Sequence, residues 1–271
     1  MGKLDGKVAF ITGAARGQGR SHAIRLAQEG AEIIALDICK QVETVAYPMA
    51  TPEDLAETVK QVEALDRRIL AREADVRDSE AVKSVLDEGV AELGRVDIVL
   101  ANAGIAPLSM NPRPEEWQDV VDINLTGVYN TVQAAVPTMI EQGDGGAIVI
   151  TSSTAGLNGI GGNTPGGLGY TASKHGVVGL MRSYANYLAP HSIRVNTVHP
   201  TGVNTPMVVN DAMQEFISQD PALSNAMANA LPVEMLEAVD ISNAILWLVS
   251  DDARYVTGIT VPVDAGFTNK K

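Results

Sequence analysis

Lys7-Val8-Ala9-Phe10-Ile11-Thr12-Gly13-Ala14-Ala15-Arg16-Gly17-Gln18-Gly19 is a short apolar run that ends in a glycine-rich turn. A short apolar run of this kind is typical of a buried parallel strand. The next segment, Ser21 to Glu29, has a helical pattern and is closed by Gly30. Glycines at positions 13, 17 and 19, between a strand and a helix, let the backbone approach a pyrophosphate at the helix N-terminus. The stretch therefore predicts a dinucleotide-binding βα unit.

Apolar runs alternate with helix-like segments along the rest of the chain. The further runs are Glu32 to Leu36, Val96 to Ala101, Ala147 to Thr151, Ile193 to Val198 and Ile259 to Val263. Strand and helix in alternation indicate a parallel sheet that is covered on both faces. No linker interrupts the pattern, so we expect residues 1–271 to form a single α/β domain with a doubly wound sheet.

The composition excludes several classes of protein. The chain has 33 acidic and 20 basic side chains and a net charge of −13, which disfavours nucleic acid or an anionic membrane as a partner. Its single cysteine, Cys39, excludes an internal disulfide. There is no signal peptide and no apolar run near the ~20 residues of a membrane span, so we expect a cytoplasmic protein. The four histidines, including His175 and His199, lack metal-ligand spacing, and we expect no metal site.

Asp37 follows the second predicted strand, 18 residues beyond Gly19. A carboxylate at this place can accept hydrogen bonds from both hydroxyls of the adenosine ribose and repels a 2′-phosphate. It therefore favours NAD(H) over NADP(H). Arg16 points the other way, because a cation beside the turn can pair with a phosphate.

Residues 39–72 form a long excursion near the expected cofactor site. Thr51-Pro52-Glu53-Asp54 predicts a helix start, with Thr51 as the N-cap and proline at the first helical position. The part before this helix is either a solvated surface loop or a flap that closes over the adenine end of the cofactor. The sequence leaves both alternatives open.

Polar and small residues follow the later strands, where ligands of open parallel sheets bind. Asp75 and Val76 can contact the adenine. Asn102-Ala103-Gly104 provides small residues for a close backbone approach. Asn124, within a helix expected from about 114 to 139, is either a satisfied core residue or part of a buried polar network. The segment from Pro200 through Val203 to Thr205 can offer backbone and hydroxyl groups to a carboxamide.

Tyr170 and Lys174 form a candidate acid/base pair. If Gly169 to Gly176 is the first turn of a helix, the two side chains lie one turn apart on one face. A phenol is a poor base at neutral pH, and a nearby ammonium lowers its pKa. Upstream, Ser152 and Ser153 end a predicted strand, so a serine can reach a substrate oxygen there.

Taken in order, these motifs resemble the short-chain dehydrogenase/reductase family over essentially the whole chain. The resemblance implies a Rossmann-type sheet and reversible hydride transfer between a nicotinamide and a carbinol carbon. It implies that Tyr170 is the acid/base, that Lys174 lowers its pKa and holds the nicotinamide ribose, and that Ser153 polarises the substrate oxygen. Asn124 is expected to position a water that links Lys174 to solvent. The cofactor-binding residues expected are Gly13, Arg16, Gly17, Gln18, Gly19, Asp37, Asp75, Val76, Asn102, Ala103, Gly104, Tyr170, Lys174, Pro200, Val203 and Thr205.

Two departures from the family pattern matter. The Ser153-to-Tyr170 spacing exceeds the usual one by about four, owing to the glycine-rich stretch from Gly159 to Gly167, and Thr201 replaces a common glycine. With the excursion after Asp37, these features resemble the mycofactocin-associated, carveol dehydrogenase-like subgroup. That resemblance implies a hydrophobic secondary alcohol, terpene-like or cyclic, as substrate, and a bound NAD that exchanges poorly.

The substrate side is expected at residues 206–236, as a lid over the reacting end. Methionines suit irregular apolar pockets, although they also fill ordinary cores. The apolar residues in question are Met207, Met213, Phe216, Ile217, Met227 and Met235, with Leu108 and Leu157 as further wall residues.

The predicted helices near 114–140 and 170–189 carry apolar residues on more than one face, which exceeds what one buried stripe needs. On the second helix these residues are Val177, Val178, Leu180, Met181, Tyr184 and Leu188. The family resemblance implies a homotetramer through these helices. Two other functions stay open: an NADPH-dependent carbonyl reductase, and a nucleotide-sensing protein that has lost the chemistry.

Overall fold

The structure is a computed structural model that describes residues 2–107, 110–218 and 228–270. Seven strands pair in parallel in the order β3-β2-β1-β4-β5-β6-β7. They are β1 (Val8–Thr12), β2 (Glu32–Asp37), β3 (Ile69–Glu73), β4 (Ile98–Ala101), β5 (Gly146–Thr151), β6 (Ile193–Pro200) and β7 (Thr260–Val263). The chain order reverses at β1, so a crevice opens there between β1 and β4 at the carboxyl ends of the strands.

Helices cover both faces of the sheet. They are α1 (Gly17–Gln28), α2 (Pro52–Glu63), α3 (Ser79–Leu93), α4 (Glu115–Val121), α5 (Gly127–Gln142), α6 (Pro165–Leu188), α7 (Asp211–Ser218) and α8 (Ala238–Val249). Alternate residues of β1 enter different cores: Phe10 joins one apolar cluster and Ile11 joins the other. This alternation across a two-layer core confirms the predicted doubly wound sheet.

Part of the predicted excursion is regular structure. Thr51 caps α2 through a hydrogen bond from the Asp54 amide, and Pro52 takes the first helical position, as predicted. The third strand, however, already begins at Ile69, inside the range 39–72. The irregular part is therefore short and lies between β2 and α2.

The helix that carries Tyr170 begins earlier than predicted. Thr164 caps α6 by accepting a hydrogen bond from the Gly167 amide at 3.1 Å, and Pro165 takes the first helical position. Tyr170 therefore lies in the second turn, not the first. Glycine at 166 and 167 is needed because a Cβ at either position would lie within 3 Å of neighbouring backbone oxygens.

Helices α4 and α5 are joined without a break by a π-helical segment, Asp122–Thr126, that contains Asn124. Such segments occur frequently at functional sites, since the extra residue redirects side chains. In the described ranges, no helix is both long enough and apolar enough to cross a membrane.

Candidate active site

The glycine-rich turn lies at the base of a cleft that follows the carboxyl ends of the strands. Gly13 has φ of +70°, and a Cβ there would meet the Ala103 backbone at 2.8 Å. A Cβ on Gly19 would lie 1.9 Å from the Gly13 carbonyl oxygen. Only glycine therefore allows β1, α1 and the segment after β4 to approach this closely.

The N-terminus of α1 has amides without a side-chain cap. Arg16 at the N-cap makes no capping hydrogen bond, and the first turn contains no acidic residue. By contrast, Thr51, Asp78 and Thr164 cap α2, α3 and α6 with side-chain oxygens. Uncapped amides at the end of a helix dipole fit an anion such as a pyrophosphate. The glycine cradle and the uncapped helix together fit a dinucleotide.

Asp37 ends β2 beside this turn and is buried. Its Oδ2 accepts a hydrogen bond from the Ala15 amide at 2.9 Å, and its Oδ1 accepts one from Cys39 at 3.2 Å. Burial raises the pKa of Asp37, while the Ala15 and Cys39 amides oppose that shift. These bonds fix the carboxylate in the lining of the cleft.

Residues 39–50, named the flap from here on, fold over one side of the cleft. The Gln41 side chain holds the loop together: its Nε2 donates to the carbonyls of Val42, Val45 and Tyr47, and its Oε1 accepts from Met49. The buried residues Val42, Val45 and Tyr47 join the apolar core. The flap is therefore a packed element and not a solvated loop.

Three polar contacts fasten the flap to the rest of the chain. Arg16 donates to the Pro48 carbonyl. Thr44 donates to Asp119 of α4 at 2.6 Å, and Arg113 donates to the Glu43 carbonyl at 2.6 Å. Arg16, which the sequence offered as a phosphate partner, thus holds the flap.

The expected adenine end lies at the ends of β2 and β3. Asp75 forms an ion pair with Arg77 at 2.6 Å. Burial raises the pKa of Asp75, but the hydrogen bonds and charge of Arg77 outweigh it and leave that pKa below its usual value. The Val76 carbonyl accepts a hydrogen bond from Asn130 at 2.8 Å. Both Asp75 and Val76 line the cleft.

Asn102 ties three strand ends together. Its Nδ2 donates to the Thr12 carbonyl at 3.1 Å, and its Oδ1 accepts from Thr151 at 3.2 Å. Ala103 and Gly104 follow along the lining of the cleft. The expected small-residue segment is therefore a rigid part of the floor.

Lys174 lies beneath the ring of Tyr170. Its Nζ is 5.5 Å from the ring centroid and donates to the Thr151 carbonyl at 2.9 Å. Burial lowers the pKa of Lys174 to about 8. Burial also raises the pKa of Tyr170, and the neighbouring Ser153 hydroxyl opposes part of this shift. The direction for Tyr170 differs from that expected from the Tyr–Lys spacing, because desolvation outweighs the neighbouring groups.

Two serines at the end of β5 have different surroundings. Ser152 donates to the Lys174 carbonyl at 2.8 Å and so fixes α6 against the sheet. Ser153 lies beside Tyr170 and lines the cleft. The Ser153 carbonyl is bound at 2.8 Å by Nδ1 of His199, whose Nε2 contacts Thr197 at 2.8 Å. His199 therefore supports the segment that carries Ser153.

Asn124 is fully buried and pairs with the backbone of Ile105. Its Oδ1 accepts from the Ile105 amide and its Nδ2 donates to the Ile105 carbonyl, both at 2.8 Å. A Cβ on Gly104 would lie 3.3 Å from Asn124 Oδ1 and 3.7 Å from Lys174 Nζ. The π-helical turn thus brings Asn124 close to Lys174 and fixes the loop after β4.

The segment after β6 lines the cleft through Pro200, Val203 and Thr205, together with Met207. Thr205 lies against the glycine-rich turn, since a Cβ on Gly17 would be 3.4 Å from its side chain. Thr205 donates to the Val203 carbonyl at 3.3 Å. Of the expected lid residues, Met213 is buried and Met235 is partly buried. The expected wall residue Leu157 is partly buried as well. Leu108, Met227 and the side chains of Phe216 and Ile217 lie outside the described residues.

All the expected cofactor-binding residues and three of the four expected catalytic ones line this single cleft; Asn124 lies behind its lining. Thr151 and Tyr47 also line the cleft, and sequence reasoning did not predict either of them. Thr151 precedes the Ser152-Ser153 pair, and its backbone position could have been inferred from that pair. Tyr47 carries no local signal, because its place in the cleft depends on how the flap folds.

Comparisons with known proteins agree with this geometry. A family profile described as enoyl-(acyl carrier protein) reductase matches residues 13–268. The chain is 58% identical to an uncharacterized oxidoreductase of Mycobacterium tuberculosis, covering 99% of this chain and 98% of the relative. It is 50% identical to a (−)-trans-carveol dehydrogenase of Rhodococcus erythropolis, covering all of both chains. A crystal structure of carveol dehydrogenase from Mycobacterium avium in complex with NAD superimposes with a TM-score of 0.91, at 54% identity and full coverage of both chains.

Proposed function

This chain belongs to the short-chain dehydrogenase/reductase family and is an NAD-dependent oxidoreductase, and we propose that it interconverts a hydrophobic secondary alcohol and its ketone. The observation that carries the proposal is the placement of Ser153, Tyr170 and Lys174 together in the cleft that begins at the uncapped N-terminus of α1. A dinucleotide bound in this cleft would extend from the phosphate site at the N-terminus of α1 to the acid/base Tyr170.

Bound NAD supplies the hydride acceptor for alcohol oxidation and, when reduced, the hydride donor for ketone reduction. The chain's own residues handle the proton. In oxidation the carbinol carbon loses a hydride and its hydroxyl proton passes to the Tyr170 oxygen; in reduction Tyr170 returns the proton. Ser153, beside Tyr170, donates a hydrogen bond to the substrate oxygen and holds it in line.

The raised pKa of Tyr170 fixes the expected pH dependence. At neutral pH the phenol is protonated, which is the form that ketone reduction requires. Alcohol oxidation requires the phenolate, so its rate rises with pH through the alkaline range. Lys174 can favour the phenolate electrostatically only while it is charged, and burial brings its own pKa to about 8.

Asp37 supports the choice of NAD. A carboxylate held by two backbone amides cannot turn away from a 2′-phosphate, and a phosphate beside it would be repelled. Arg16, which favoured the NADPH alternative in the sequence, has its guanidinium on the flap at Pro48. Both contacts support the ribose hydroxyls of NAD as the partner of Asp37.

The substrate class follows from the reacting end of the cleft and from the relatives. Ile105, Met207 and Val208 provide apolar lining in the same cleft as Ser153 and Tyr170, which suits a hydrophobic, terpene-like or cyclic alcohol. The carveol dehydrogenase relative at 50% identity supports this class. We further propose that the packed flap slows NAD exchange, so that an external carrier, such as a mycofactocin-type acceptor, reoxidises the bound cofactor.

Two measurements test the function. Mass spectrometry of nucleotide released on denaturation is expected to identify NAD or NADH. Turnover with an artificial acceptor is then measured for cyclic secondary alcohols, for straight-chain secondary alcohols, and for a 3-hydroxyacyl thioester. We expect cyclic secondary alcohols to be the best substrates. A clear preference for the acyl thioester, or for NADPH in the reverse reaction, would overturn the proposal.

A further inference from the structure

Tyr47 is the only aromatic residue of the flap, and it is buried in the lining of the cleft with 4% of its surface exposed. Its phenol oxygen accepts a hydrogen bond from the Ala106 amide at 3.2 Å. Across the described part of the chain, no hydrogen bond has this hydroxyl as its donor. A buried O–H group that accepts one hydrogen bond and donates none has its proton available for a partner in the cleft.

The sheet topology shows what lies beneath Tyr47. The flap leaves from the end of β2, and Tyr47 reaches Ala106 in the segment after β4. Strand β1 lies between β2 and β4 in the sheet. Tyr47 therefore crosses the carboxyl end of β1, where the glycine-rich turn leads to the uncapped N-terminus of α1. Arg16 of that turn binds Pro48, the residue next to Tyr47.

The chemistry of this place favours a phosphate acceptor. The amides of α1 point at an anion from below. Tyr47 offers one O–H donor from above, and burial raises its pKa to about 12, so it stays protonated at neutral pH. Tyr47 lies within electrostatic range of both Tyr170, which raises its pKa, and Arg16, which lowers it. Of these two, Arg16 belongs to the phosphate-binding turn and is hydrogen-bonded to Pro48, the residue next to Tyr47. The phosphate position therefore fits Tyr47 better than the substrate oxygen does.

We propose that Tyr47 donates a hydrogen bond to a pyrophosphate oxygen of bound NAD, so that the flap binds the cofactor directly and does not only cover it. The inference rests on the proposed function, since it requires that this cleft binds NAD. It makes flap closure dependent on a diphosphate. A ligand that lacks phosphates gains nothing from the Tyr47 hydroxyl.

The test compares Tyr47→Phe with the wild-type protein by isothermal titration, after removal of any co-purified nucleotide. The three probes are NAD, ADP and adenosine, of which only adenosine lacks phosphates. Phenylalanine keeps the ring packing, and the melting temperature without nucleotide checks that the variant is folded. We expect the affinity for NAD and ADP to fall about tenfold, as for a hydrogen bond to a charged group. The affinity for adenosine is expected to stay within about twofold.

Gln41→Leu is the matched control, because it loosens the flap through its four internal hydrogen bonds and leaves the Tyr47 hydroxyl in place. This variant is expected to lower the affinity for all three probes to a similar extent. The same uniform pattern in Tyr47→Phe would overturn the proposal, as would unchanged binding of NAD and ADP. A rise in KM for the alcohol with unchanged NAD affinity would assign Tyr47 to the substrate and also overturn it. Failure of the wild-type protein to bind NAD would overturn the proposed function itself.

Discussion

Side chains in this site are positioned by hydrogen bonds from neighbouring residues. Ser153 shows this, because its backbone carbonyl is fixed by His199 while its hydroxyl stays beside Tyr170. A carbonyl oxygen can only accept, so His199 carries its proton on Nδ1, and its Nε2 accepts from Thr197. Burial lowers the pKa of His199 to about 4, so the imidazole is neutral at pH 7.

This neutral imidazole predicts an acid-sensitive fold. Below its ordinary pKa of 6.5 the unfolded chain binds a proton at His199 that the native protein excludes. The stability that this group contributes is therefore complete above pH 6.5 and is lost as the pH falls toward 4, by up to about 3 kcal/mol. Urea unfolding at pH 7.5 and pH 5 measures the effect. His199→Gln should show a smaller difference between the two pH values, whereas the exposed-site control His191→Gln should behave like wild type. An equal pH difference in His199→Gln and wild type would contradict the assignment.

The flap is an ordered element that no sequence motif predicts. Residues 39–50 have no regular secondary structure, yet Gln41 organises them, and Arg16, Arg113 and Thr44 fasten them to three other parts of the chain. The burial of Val42 and Val45 adds apolar contact with the core. We propose that a cofactor in the cleft leaves only after some of these contacts break.

Loss of the Arg16 contact is expected to speed cofactor release. Arg16→Ala removes one charge-assisted hydrogen bond to Pro48, so the NAD dissociation rate should rise about 3- to 10-fold. Stopped-flow displacement of bound NADH by excess NAD measures this rate. Lys40→Ala, which removes an exposed flap cation, is the control and should change little. If Arg16→Ala instead weakens only NADPH binding, Arg16 is a 2′-phosphate ligand and its assigned place in the flap is wrong.

Some features of these elements could be predicted from the sequence and others could not. Asp37 and the three glycines were predicted because their roles depend on local backbone geometry at a strand end. The start of α6 at Pro165 was not predicted, because glycines such as those before Tyr170 are typical of a loop. Their close packing is visible only in the structure. The π-helical turn at Asn124 has no sequence signal. The raised pKa of Tyr170 depends on burial, which no spacing reveals.

The residues available for assembly differ between the sequence prediction and the structure. The α6 residues Val177, Val178, Met181, Tyr184 and Leu188, which favoured an exposed apolar face in the sequence, are buried within the single chain. Other large side chains are exposed instead: Trp117 of α4 at 43%, Tyr129 of α5 at 47% and Tyr187 of α6 at 59%. A homotetramer through these helices therefore remains a proposal that rests on a different set of residues.

Sedimentation velocity at micromolar concentration tests the assembly. A tetramer is expected at about four times the 28.5 kDa mass of one chain. Tyr129→Glu with Tyr187→Glu would place two charges in the proposed interface and should shift the protein to smaller species. A wild-type monomer under these conditions would remove the proposal.

The most direct test of the account is single-turnover reduction of bound NAD by a cyclic secondary alcohol in wild type and in Tyr170→Phe. We predict that NADH absorbance appears in the wild-type protein and that its rate falls by ~10²- to 10⁴-fold in the variant, as expected for loss of a general base. The NAD content of the purified variant should be unchanged. If Tyr170→Phe reduces its bound NAD at the wild-type rate, Tyr170 is not the acid/base, and the proposed chemistry of this site is contradicted.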